Sequence, residues 1–131
     1  MKNSDTKASI LVVEDDAELA NTLVETLNDL GLTAFSATTV RAAGFKLKNQ
    51  LFSCVILDIR LGEETGEVVI DIMKQNKKSL NVETPILLMS GNIDLGLIKK
   101  IGSKVQGAIV KPFTPKDLLK KLKPILRKAK S

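Results

Sequence analysis

Five short apolar runs, each followed by a stretch with helical spacing, constrain this chain more than any other feature. They are "SILVVE" (9–14), "LTAFSA" (32–37), "FSCVILD" (52–58), "PILLMS" (85–90) and "GAIV" (107–110). Runs this short, with little alternation of apolar and polar residues, belong to strands covered on both faces, as in a parallel sheet. Between them, apolar residues recur three and four apart. Ala20, Leu23, Val24, Leu27 and Leu30 mark a first helix stopped by Gly31, and Val40, Ala43, Leu47 and Leu51 a second capped by Thr39. Val68, Val69, Ile72 and Met73 mark a third, after a "GEETG" loop. A fourth is expected near 93–102, where Gly96 costs about 1 kcal/mol relative to alanine. Thr114 and Pro115 open the last, with Leu118, Leu119, Leu122, Ile125 and Leu126 facing inward. Pro124 removes a backbone donor from that helix and crowds its preceding turn, at about 3 kcal/mol, so a kink or an early end is expected there.

Five such units predict an α/β fold, a doubly wound, mostly parallel five-stranded sheet with five helices on its two faces. At 131 residues the chain suits one domain, expected over 9–129 behind a disordered polar tail at 1–8. No apolar run approaches the roughly 20 residues of a membrane span, and the first residues lack a secretory apolar core, so a cytoplasmic location and no membrane partner are expected. Cys54 is the one cysteine and reads as a small buried hydrophobe in the third strand. Histidine is absent, which excludes a Ser/His/Asp triad, a histidine metal site and a histidine phosphodonor. Residues 111–131 hold eight Lys or Arg against the single acid Asp117, a local +7 within an overall +5. No aromatic residues are interleaved with those lysines, so direct nucleic-acid binding is not expected.

In doubly wound sheets, chemistry gathers where the strands end. The first run ends on Glu14, before Asp15 and Asp16; the third ends on Asp58, the fourth on Ser90, and the fifth is followed by Lys111. Singly these are bland: Asp16 reads as a helix cap, Glu14 and Asp15 as acids favouring a helix start, Ser90 as a strand-end hydroxyl and Lys111 as a surface lysine. Together, on four strand tips, they read as one site. Carboxylates about 5 Å apart repel by roughly 3 kcal/mol per pair at an effective dielectric of about 20. Lys111 offsets one charge, and a divalent cation would offset the rest. An oxygen-only donor set suits Mg²⁺. An aspartate carboxylate can attack phosphorus, while a cation, an ammonium and a hydroxyl stabilise the transferred group. Asp58 is therefore the expected phosphoacceptor.

"ILVVEDD" (10–16), "VILDIRLG" (55–62), "PILLMSG" (85–91) and "IVKPF" (109–113) resemble, in order and separation, the receiver domain of two-component response regulators, including the stand-alone chemotaxis type. The resemblance implies a flavodoxin-like sheet of order 2-1-3-4-5. It makes Glu14 and Asp15 the acidic pair that holds Mg²⁺ with Asp58 and the backbone carbonyl of Arg60, Asp58 the acceptor, Ser90 the switch hydroxyl and Lys111 a contact to phosphate oxygens. It implies a phosphohistidine donor on a sensor histidine kinase or a histidine phosphotransfer protein. A downstream protein is expected to dock on the face of the fourth helix, fifth strand and last helix, where the lysines of the last helix would meet acidic groups. Chemistry would be limited to self-phosphorylation from a donor and slow self-dephosphorylation, so no turnover enzyme is expected.

Three positions depart from the family pattern. Gly62 stands where proline is common and predicts a more mobile loop, Ser90 replaces the commoner threonine, and Ala108 takes the place of an aromatic switch residue. Rival readings are a receiver-like binding module that no longer uses phosphorylation, a relay intermediate with the same pocket, and a small aspartyl-nucleophile phosphatase. The last usually carries a second acid where this chain has Arg60.

Overall fold

The chain is described by a computed structural model over residues 8–91 and 95–130. In chain order its elements are β1 (Ser9–Val13), α1 (Ala17–Asp29), β2 (Thr33–Ala37), α2 (Val40–Asn49), β3 (Cys54–Asp58), β4 (Arg60–Leu61) and β5 (Glu64–Thr65). They continue with α3 (Gly66–Met73), β6 (Ile86–Ser90), α4 (Leu95–Ile101), β7 (Gly107–Val110) and α5 (Pro115–Lys130). The five long strands form one sheet of order β2-β1-β3-β6-β7, with every neighbouring pair parallel. Counted without the two short strands, this is the expected 2-1-3-4-5 of a flavodoxin-like fold.

Successive side chains on a strand point to opposite faces, which explains why the runs are apolar throughout. Leu11, Val13, Val55, Leu57, Ile86 and Leu88 pack with Ala43, Leu47, Val69, Ile70 and Met73 of α2 and α3 on one side. Ile10, Val12, Cys54, Ile56, Leu87 and Met89 pack with Leu23, Leu27, Leu118 and Leu122 of α1 and α5 on the other. Each large side chain so buried contributes about 1.5–3 kcal/mol, and the two layers fix the height of every strand tip.

Local signals set the helix ends. The Asp16 carboxylate caps α1 by accepting from the N–H groups of Glu18 and Leu19, each at 3.1 Å. At its other end Gly31, with φ +91°, donates to the Asn28 carbonyl while Leu32 donates to Leu27, a paired stop that a left-handed residue permits. Thr39 caps α2 through the Ala42 N–H at 3.0 Å. Thr114 and Asp117 cap α5 reciprocally: the Thr114 hydroxyl accepts from the Asp117 N–H, and the Asp117 carboxylate from the Thr114 N–H.

Four expectations need correction. The "GEETG" segment, expected as a loop, contains a hairpin, with Arg60 opposite Thr65 and Leu61 opposite Glu64. Leu51 lies beyond the end of α2 and is 62% exposed, so it adds nothing to that helix's inner face. The fourth helix passes into a single 3-10 turn at Gly102–Lys104, and its expected start at 93–94 lies outside the described residues. Pro124 does not end α5, which runs on to Lys130. Pro124 and Lys120 are both exposed, so the carbonyl left without a donor can be served by water. Residues 1–7 of the expected tail are outside the described residues, whereas Ala8 already packs against the core. Among the described residues, no helix is long and apolar enough to cross a membrane.

Candidate functional site

Register places the polar tips at one level. Val13 pairs with Leu57, so Glu14 and Asp58 each follow directly on adjacent strands; Asp58 pairs with Met89, and Ser90 with Val110, just before Lys111. The Lys111 N–H donates to the Ser90 carbonyl at 2.7 Å, extending the sheet bonding one residue past β7, and the peptide bond from Lys111 to Pro112 is cis.

Lys111 joins two buried acids. Its Nζ lies 2.5 Å from Glu14 Oε1 and 2.8 Å from Asp58 Oδ2, while Glu14 and Asp58 are only 1% and 6% exposed. Each acid has a second donor nearby in sequence: Glu14 Oε2 accepts from the Asp16 N–H and Asp58 Oδ1 from the Arg60 N–H, both at 3.1 Å. Asp15 is exposed, and its Oδ2 accepts from the Gly62 N–H at 3.0 Å. One oxygen from each of Glu14, Asp15 and Asp58 lies within 4.8 Å of the others. With all three ionised, one ammonium leaves a charge deficit that a dication would balance, and the donor set is oxygen alone.

Burial dominates the electrostatics. It pushes the Glu14 carboxyl up to about 7 although the Lys111 ammonium and the Asp16 N–H pull the other way. Burial works against the Lys111 ammonium too, but the hydrogen bonds it donates to Asp58 and Glu14, with the charges of those acids, outweigh it and the net direction is upward. Lys111 therefore stays charged at neutral pH.

The Glu14 shift predicts a pH slope. Folded Glu14 holds its proton to about 7, against 4.5 for the ordinary group, so the native state binds more protons between those values. Stability must then fall as pH rises through that window, with a contribution on the order of 2 kcal/mol. Urea melts in a chelating buffer should show wild type losing stability relative to Glu14→Gln between about pH 5 and about pH 8. Parallel curves would show that Glu14 titrates normally.

Of the residues singled out in sequence, Glu14, Asp15, Asp58 and Lys111 come together directly. Ser90 sits buried on the adjoining strand tip at 7% exposure. Asp16 is a cap and stands outside the acidic cluster. The Arg60 side chain is exposed, and its N–H meets Asp58. Ala108 is exposed on β7. Gly66, read in sequence merely as the end of a loop, proves structural to the site. A Cβ there would lie 2.6 Å from the Asp58 carbonyl oxygen and 3.1 Å from the Leu57 side chain, so α3 can start beneath Asp58 only with glycine. The available signal was a glycine directly before an apolar helical run.

A parallel sheet of this order with an acid cluster and a lysine at its carboxyl edge defines the class, and comparison with known proteins agrees. The response regulator receiver domain family matches residues 10–123, and the chain belongs to that family. Transcriptional regulatory protein BasR of Escherichia coli (strain K12) is 32% identical over 122 residues, covering 91% of this chain and 52% of BasR. Regulatory protein VanRB of Enterococcus faecalis (strain ATCC 700802 / V583) is 30% identical, covering 92% of this chain and 53% of its own. The chain thus spans about half the length of these curated relatives. Among solved structures, chemotaxis protein CheY4 of Vibrio cholerae aligns with a TM-score of 0.83 at 29% identity, over 92% of this chain and all of CheY4.

Proposed function

We propose that this receiver domain is a Mg²⁺-dependent phosphoacceptor, with Asp58 as the residue that takes the phosphoryl group. The observation that carries the reading is the meeting of Glu14, Asp15 and Asp58 oxygens within 4.8 Å, with Lys111 bridging the two buried ones. These residues fit the cation: three carboxylates face a single ammonium, and all the donors are oxygens. Glu14, Asp15 and Asp58, joined by the Arg60 carbonyl, would hold it. Once bound, Mg²⁺ supplies positive charge opposite the phosphoryl oxygens.

In the transfer, a carboxylate oxygen of Asp58 forms the bond to phosphorus as the bond from phosphorus to the donor nitrogen breaks, and the leaving imidazole keeps the electron pair. Lys111, 2.8 Å from Asp58, is placed to meet an oxygen of the arriving group, and the Ser90 hydroxyl stands on the next strand tip. This chain has no histidine, so the phosphoryl group comes from outside it; as in the family, the donor is a phosphohistidine on a sensor histidine kinase or histidine phosphotransfer protein, for which a small phosphodonor can stand in. Arg60 occupies the place where a phosphatase of the aspartyl class would need its acid, which supports self-phosphorylation from a donor followed by slow self-dephosphorylation over a turnover enzyme. We place the domain at 9–129 and in the cytoplasm. For output, a downstream protein docks on the face of α4, β7 and α5, where Ala108, Lys120 and Lys121 border a depression of about 290 Å³. Charge reversal at Lys120, Lys121 and Lys123 should weaken that docking at least tenfold without affecting phosphorylation; unchanged docking removes this part of the proposal.

Acetyl phosphate tests the chemistry. With millimolar Mg²⁺ the intact mass should rise by one phosphoryl group, and the adduct should yield to hydroxylamine as acyl phosphates do. Chelation of the cation should suppress the gain by two orders of magnitude or more. A mass gain indifferent to chelator, or none at all, defeats the proposal.

A further inference from the structure

Two of the three clustered carboxylates are fixed from within. Glu14 and Asp58 are buried, share Lys111, and each accept a further backbone N–H. Asp15 is exposed, and the bond its carboxylate makes comes from a residue 47 positions away, Gly62. That bond depends on the hairpin. Leu61 pairs with Glu64, so Gly62 and Glu63 form a two-residue turn. Gly62 has φ +65°, whereas no non-glycine among the described residues has positive φ, so the turn carries its left-handed residue at the first central position. This is the type II′ arrangement, which glycine adopts without strain and which fits the twist of the flanking strands.

The hairpin is itself anchored. Leu61 is 5% exposed and belongs to the core beneath α2 and α3, and the Gly66 N–H closes the base of the hairpin on the Ile59 carbonyl at 2.7 Å. A buried leucine on one side of the turn and a closed base on the other leave the Gly62 N–H aimed at Asp15. A carboxylate has two oxygens, so one can stay on this N–H while the other is offered to a cation. Proline, common at this place in the family this chain resembles, has no N–H and cannot reach this φ.

We infer that Gly62 is a positioning residue: its backbone N–H orients the one exposed carboxylate of the acidic cluster before the cation arrives. The inference rests on the proposed Mg²⁺ site and adds to it a specific role for the turn. It makes the hairpin part of the binding apparatus, because ordering Asp15 in advance removes a cost that binding would otherwise bear.

The test is direct Mg²⁺ titration by calorimetry of wild type, Gly62→Pro and Gly62→Asn, with thermal melts confirming that each is folded. Asparagine keeps the N–H and tolerates positive φ better than other residues with a side chain. The expected result is wild-type-like binding by Gly62→Asn and roughly tenfold weaker binding by Gly62→Pro. The Gly62 amide resonance should also move in Asp15→Ala, which a merely structural turn would not require. Gly62→Pro binding Mg²⁺ as wild type does, or Gly62→Asn losing as much as proline, overturns the positioning role and leaves the metal site standing. Absence of Mg²⁺ binding by wild type would overturn both.

Discussion

With asparagine in place of Asp58, the chain should take up no phosphoryl group from acetyl phosphate, yet remain folded with stability within about 1 kcal/mol of wild type. The two halves of this result have separate causes. An amide oxygen is a poor nucleophile toward phosphorus, so the acceptor chemistry is lost outright, by at least three orders of magnitude in rate. Shape and the main local bond survive, because an asparagine oxygen can still accept from the Arg60 N–H that Asp58 holds at 3.1 Å. The ion pair with Lys111 is lost, but so is the repulsion between Asp58 and the buried Glu14, and Lys111 keeps Glu14 as its partner. Removing one of three acids should also weaken Mg²⁺ by about tenfold, which calorimetry would read independently of labelling. Labelling of Asp58→Asn at the wild-type level would move the acceptor elsewhere and end the assignment.

The site was legible in sequence because of how each residue is placed. Glu14, Asp58 and Ser90 end apolar runs and Lys111 follows one, and a parallel in-register sheet turns that pattern into proximity. The three central strands, β1, β3 and β6, were legible because both their faces are covered, so that nearly every residue had to be apolar. What escaped the sequence was set by contacts between distant positions. The Gly62 N–H meets Asp15 across 47 residues, and nothing in "RLGEETG" indicates that its turn reaches an acid in the segment between β1 and α1. Gly66 looked like an ordinary turn glycine because its necessity comes from the Asp58 carbonyl 2.6 Å from where its Cβ would stand. The early end considered at Pro124 did not come about for the opposite reason: its local cost is real, but Leu118 and Leu122 before it and Ile125 and Leu126 after it pack against the core, and tertiary packing carries the helix past it.

Asn81→Leu should cost about 3–5 kcal/mol of stability. "SLNVETP" reads as a polar loop, where asparagine is normally a turn former. Here Asn81 is 1% exposed and fully engaged. Its Oδ1 accepts from the Phe52 N–H at 2.9 Å and from the Thr84 hydroxyl at 2.8 Å, while its Nδ2 donates to the carbonyls of Leu47 and Gln50 at 2.7 and 2.8 Å. Those carbonyls belong to the end of α2, and the Phe52 amide lies in the chain entering β3, so one side chain joins both to the segment leading into β6. Leucine fills a similar volume but takes their partner from the buried Phe52 amide and Leu47 carbonyl and from the half-buried Gln50 carbonyl, each costing about 1–3 kcal/mol. Aspartate would be no remedy, because a carboxylate would face two carbonyl oxygens in a buried site. Urea unfolding should show the midpoint falling with its slope unchanged, since the native fold and the surface exposed on unfolding remain the same. Phosphoryl uptake at low temperature should persist in the same variant, because none of these bonds reaches Glu14, Asp15, Asp58 or Lys111. A midpoint shift worth less than about 1 kcal/mol would mean that water or a rearranged loop satisfies the stranded groups, and that this clamp contributes little to holding β3 in register.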